Sequence, residues 1–232
     1  MSDYIYTTSS GEEIPVVITT RRGMRNMTLR PRTVPHREIC ISKPWLTPTG
    51  MALKFLERKR KWVDSIFARS PRKASVTPGM QMEFLGRSVV VVHDPARRGN
   101  GYSENGQELI IGGGADMFER RLRDFIRTEF LSVARDMVHT APRELWPRRI
   151  AVRDTTSRWG SCSTTGTISF SWRLAFAPPD VMRYVVMHEL AHRRHMDHSP
   201  EFWAFVRELY GFGVERARRW LAQHGAELHQ YF

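Results

Sequence analysis

The chain has 232 residues, enough to bury a substantial core as one domain or as two lobes. Its 41% hydrophobic and 26% charged content is ordinary for a globular protein, and no apolar run reaches the length of a membrane span. The balance is basic at +12, with 18 Lys+Arg against 10 Asp+Glu in residues 1–115 and 18 against 14 in residues 116–232.

Alternating apolar residues predict short strands over 14–18, 26–30 and 38–42, punctuated by Gly23, Pro31 and Pro35. A helix is predicted over 49–69, with Leu53, Leu56, Trp62, Val63 and Ile66 on its apolar side and Lys54, Arg58 and Lys61 facing solvent. Strands over 82–85 and 88–93 flank Gly86-Arg87, read as a hairpin turn. Residues 95–106 form a Gly/Asn-rich loop before a strand over 109–111. Gly112-Gly113-Gly114 lacks phosphate-loop spacing and reads as a hinge. A long amphipathic helix spans 116–139, with Phe118, Leu122, Phe125, Ile126, Phe130 and Val133 inward. Strands follow over 149–153 and 167–172, and two helices separated by Gly211-Phe212-Gly213 close the chain. No internal repeat stands out.

Between them lies His188-Glu189-Leu190-Ala191-His192. A chain of this composition would show HExxH by chance with a probability of about 0.02. Pro178-Pro179-Asp180 is a helix start. Val181, Val185, His188, His192 and His195 then form one stripe, and Met182, Val186 and Leu190 an adjacent apolar one. Residues four apart share a helix face, so His188 and His192 can meet one metal, with Glu189 as general base toward water. His198 and His195 compete as third ligand. A straight helix carries His195 ~10.5 Å from His188, too far to converge on an ion with ~2.0–2.1 Å bonds. Ser199, Pro200 and Glu201 restart a helix, leaving His198 in a turn that can bend back. A carboxylate from Glu201, Glu208 or Glu215 is the rival ligand. The spacing to His198 equals that of metzincins, but His195 stands where their signature has glycine.

Arg158-Trp159-Gly160-Ser161-Cys162-Ser163, Ile168, Trp172-Arg173-Leu174, Pro178, Tyr184-Val185-Val186, the HExxH run and His198-Ser199-Pro200-Glu201-Phe202-Trp203 resemble the YgjP-like metallopeptidase family. That family is related to the SprT and WLM zinc peptidases. The strong part covers about residues 150–206, with weaker agreement at 22–30, Lys43-Pro44 and 55–66. Ser171 stands where the family commonly has asparagine. The resemblance implies a zinc-dependent peptidase holding one Zn2+ per chain on His188, His192 and His198, with Glu189 as acid–base and a protein or peptide as substrate. The order of the predicted elements gives an α+β fold: a mainly β N-terminal lobe with one helix (1–115), packed on a helical, zincin-like catalytic lobe with a small sheet (116–232).

Other features frame that reading. Cys40 and Cys162 lie far apart, and no signal-peptide segment follows Met1, so a reducing cytoplasmic setting is expected. Cys162 reads as a small buried thiol rather than a nucleophile. The basic runs, such as Arg21-Arg22 and 58–61, read as a solvated surface, with nucleic acid as the alternative partner. The alternative functions are a protease acting on DNA-bound proteins and a non-peptidase zinc hydrolase. By analogy with zinc peptidases, the 167–172 strand is expected to be the edge that receives substrate. Phe170 and Trp172 could also be plain core, and Arg158 and Trp159 could line the cleft or brace a turn. Tyr184 is a candidate second oxyanion stabiliser.

Overall fold

Period-two burial organises the first of two compact units, Met1–Arg72 and Lys73–Phe232, in a computed structural model that describes residues 4–33, 36–70 and 75–232. In the first unit, strands β1 (Tyr4–Thr7), β2 (Glu13–Arg21), β3 (Thr28–Arg32) and β4 (Glu38–Pro44) form a sheet in the order β1-β2-β4-β3. The β2–β4 pair is parallel and the other two are antiparallel. Alternate residues Tyr6, Ile14, Val16, Ile39 and Ile41 are buried with Ala52, Leu56, Val63 and Phe67 of the helices that follow. Those are two helices, α1 (Thr49–Arg58) and α2 (Arg60–Arg69), not the single helix expected over 49–69. Lys59 leaves helical geometry (φ −99°, ψ 8°) and rephases the second segment, so Trp62 is 46% exposed while Val63 and Phe67 turn inward.

The second unit repeats that topology. Strands β5 (Gln81–Phe84), β6 (Arg87–Asp94), β7 (Gly101–Tyr102) and β8 (Glu108–Gly112) run in the order β5-β6-β8-β7, again with the β6–β8 pair parallel and the others antiparallel. Helix α3 (Phe118–His139) covers their buried residues. Ala52 and Leu56 follow Ile41 by 11 and 15 residues, as Leu122 and Ile126 follow Ile111. Burial spacing is repeated without residue identity, which is why the sequence displays no repeat. This core also sets the boundary: Met82, Phe84, Val89, Val91, Leu109 and Ile111 share one cluster with α3 and the helices beyond. Residues 73–115 therefore belong with the second unit, and the division falls at 72 rather than 115.

A third sheet, β10-β11-β9, is built from β9 (Arg149–Arg153), β10 (Gly160–Cys162) and β11 (Thr167–Ser171). The expected edge strand, β11, is its centre, parallel to β9 and antiparallel to β10. Phe170 and Trp172 are core residues. The edge nearest the histidine helix is β10, a three-residue strand that sequence patterning missed.

Helices α4 (Pro179–Ala191), α5 (Pro200–Tyr210) and α6 (Val214–His224) complete the unit. Both α4 stripes are buried, Val181 and Val185 as well as Met182, Val186 and Leu190, so α4 is a central helix. Its start is wedged by the β5–β6 hairpin. The loop is Leu85-Gly86 (φ 50° and 79°), one residue earlier than expected and of the left-handed kind that two-residue hairpins favour. Leu85 N–H donates to Ala175 C=O at 2.7 Å, and a Cβ on Gly86 would lie 2.4 Å from Pro179 Cγ. At the far end of α5, Arg183 donates to Tyr210 C=O (2.6 Å) and Tyr210 OH to Asp180 C=O (3.1 Å). No helix among the described residues is long and apolar enough to cross a membrane.

Candidate metal centre

His188 lies in the last turn of α4, and His192 caps its end. The chain then turns and restarts as predicted: Ser199 Oγ accepts from Phe202 N–H at 3.3 Å, with Pro200 at the first helical position. His198 sits just before this cap and returns to α4. The donor nitrogens of His188, His192 and His198 lie within 4.8 Å of one another, a set that could hold a metal ion. Nε2 of His198 and Nε2 of His188 stand 3.3 Å apart. That is the edge of a tetrahedron with metal–nitrogen bonds of ~2.0–2.1 Å, ~3.3 Å by geometry, so this pair already has the spacing a zinc ion requires.

The rings are seated on Phe202, which is fully buried at the first turn of α5. Its centroid is 5.0 Å from His188, 4.8 Å from His198 and 4.4 Å from His192, the last in a stacked arrangement. Protonation suits ligation. His192 Nδ1–H donates to His195 C=O at 2.9 Å, which leaves the Nε2 lone pair free. Burial, together with the neighbouring charges of His192, His198 and Arg218, depresses His188 from 6.5 to about 3. Its Nδ1 is buried without a hydrogen-bond partner. Burial also holds His192 below its ordinary value, despite the hydrogen bond to His195. Neutral imidazoles are what a metal needs.

The rival ligands are elsewhere. The His195 ring packs against Phe205 (5.8 Å), and this residue serves the centre through its backbone carbonyl. Glu201 and Glu208 are exposed on α5, and Glu215 is paired with Arg218 (3.2 Å) and Arg207 (3.5 Å). Tyr184 is buried with its ring 5.9 Å from His188, and burial raises its phenol to about 12, so it stays protonated. Burial and the Glu189 charge raise the Cys162 thiol, which argues against a thiolate nucleophile. Trp159 is a brace, packed on His229 (5.3 Å) and Gly225.

Glu189 is buried at 5% exposure, and desolvation raises its carboxyl from 4.5 to about 7 against the opposing charge of Arg158. A Cβ built on Gly160 would stand 2.5 Å from both Cγ and Oε1 of Glu189. Glycine at this point of β10 is what lets the acid lie against the strand.

An imidazole cluster able to hold a metal ion, next in sequence to a buried carboxylic acid, is an arrangement suited to a metallohydrolase, and the YgjP-like metallopeptidase domain matches residues 25–224. The chain belongs to the YgjP-like family. No curated protein is significantly similar to it. Among solved structures, the metallopeptidase zymogen abylysin of Pyrococcus abyssi is similar at 23% identity and a TM-score of 0.33, over 45% of this chain and 97% of that one.

Two elements of this YgjP-like centre escaped sequence reasoning. Phe202 and Gly160 both fall within the segments that carry the family resemblance, but nothing in spacing alone says that one is the floor of a histidine cluster and the other the clearance for an acid.

Proposed function

We propose that this protein is a zinc-dependent peptidase in which His188, His192 and His198 hold one zinc ion and Glu189 is the catalytic acid–base. The observation that carries the reading is the convergence of three imidazoles, two of them held below their ordinary pKa, beside a buried carboxyl raised to about 7. A zinc ion held there would supply Lewis acidity, polarising the scissile carbonyl and acidifying water. Glu189 takes a proton from the attacking water as its oxygen bonds to the carbonyl carbon. It returns that proton to the amine nitrogen as the C–N bond breaks. An acid whose pKa lies near neutrality suits both transfers. Tyr184, kept protonated by burial, is the phenol beside His188 that can donate to the developing oxyanion. The free edge of β10, not β11, is where an extended peptide adds by backbone hydrogen bonds, bringing its scissile bond alongside Glu189.

Two measurements on protein purified without chelator test this. Metal analysis should return one zinc per chain, and a peptide-library digest should give cleavage that Glu189→Gln abolishes. Failure to bind zinc on titration, or cleavage undiminished in the variant, would overturn the assignment.

A further inference from the structure

Arg158 is rooted but unengaged. Its own carbonyl accepts the Thr155 hydroxyl (2.9 Å), and the Trp159 carbonyl accepts Ser171 N–H (2.8 Å), so the backbone is fixed where the side chain leaves it. Two residues on, Gly160 lies against the Glu189 carboxyl, and two residues of extended chain span only ~6.6 Å. The Arg158 side chain is exposed, and among the described residues it makes no hydrogen bond or ion pair. Its charge is nonetheless felt by Glu189. Arg218, on the His188 side of the centre, differs: it is paired with Glu215 at 3.2 Å and lies 4.3 Å over the Trp203 ring.

A guanidinium that braces nothing in the fold, on a side chain rooted two residues from the glycine that lies against the acid, is placed to meet a ligand. Its planar fork of donors matches a carboxylate. We infer that Arg158 anchors a carboxylate of the substrate, either an acidic side chain near the scissile bond or a free C-terminus. The inference rests on the peptidase reading for its substrate class, but binding can test it apart from turnover.

The probes are fluorescent degenerate octapeptides with a central Asp, Asn or Lys, each with a free or an amidated C-terminus, titrated onto zinc-loaded Glu189→Gln protein. The Asp pool, or the free-terminus pools, should bind about tenfold tighter than their neutral counterparts; which of the two does so identifies the source of the carboxylate. Arg158→Ala in the same background should erase that preference, and Arg158→Glu should invert it, toward the Lys pool where a side chain is the source and toward the amidated pools where the C-terminus is. The inversion is a gain that a misfolded variant cannot produce. Equal binding of all pools, or a preference that survives Arg158→Ala, overturns the proposal. A preference that depends on Arg158 in a protein whose wild-type form cleaves no peptide would uphold Arg158 and remove the peptidase reading instead.

Discussion

Placing a methyl group at Gly160 should disable the acid without emptying the metal centre. The added Cβ would stand 2.5 Å from Glu189 Cγ and Oε1 and 2.7 Å from Cδ, whereas carbon atoms rest about 3.5–4.0 Å apart. About 1 Å must therefore be found. Turning the terminal carboxyl alone cannot supply it, because the overlap reaches Cγ, which moves only with the inner side-chain torsions. Neither backbone yields readily, since Gly160 is registered against Phe170 in β11 and α4 is buried on nearly all sides. The carboxyl is displaced instead. A misplacement of about 1 Å at a reacting group costs on the order of 100-fold in rate, or about 2.7 kcal/mol. Any share absorbed by the fold appears as overpacking strain of about 1–3 kcal/mol. For Gly160→Ala we expect kcat/KM on a cleaved peptide to fall about 100-fold while zinc content stays at the wild-type level, with thermal unfolding reporting the strain. A variant that binds zinc and cleaves within about threefold of wild type would refute the contact as a constraint on Glu189.

Two further outcomes follow from the same geometry. His198→Ala should weaken zinc binding by on the order of 100-fold in a chelator competition, and His195→Ala by less than about threefold, because His195 supports His192 through a backbone carbonyl that truncation leaves in place. Comparable losses in the two variants would redraw the ligand set. In metal-free protein, Glu189 has a folded pKa of about 7 above its ordinary 4.5, so the stability contributed by its protonated form is full below pH 4.5 and lost as pH rises through 7. Glu189→Gln lacks that loss and should exceed wild type by about 3 kcal/mol above pH 7, converging with it below pH 4.5, in urea unfolding with chelator present. Parallel stability curves across that window would mean that the carboxyl is not desolvated.

Much of the centre was legible in the chain because it is local. His188 and His192 are joined by one helical turn, and Ser199 and Pro200 announce the restart that brings His198 back, so backbone geometry over eleven residues carries most of the imidazole cluster. The strands with clean alternation, such as β2 and β4, were readable for the same reason. What escaped depends on partners distant in sequence. The three residues of β10 carry no period of their own and become a strand only by pairing with β11; that pairing also moves the free edge from one strand to the other. The boundary at 72 reflects a core that joins β5–β8 to α3 and α4, and hydrophobic patterning says that a face is buried without saying against what. Sequence thus determined which imidazoles could meet a metal. Tertiary packing decided how Glu189 is desolvated and what lies against it, because burial and close contact are set by atoms brought together from across the chain.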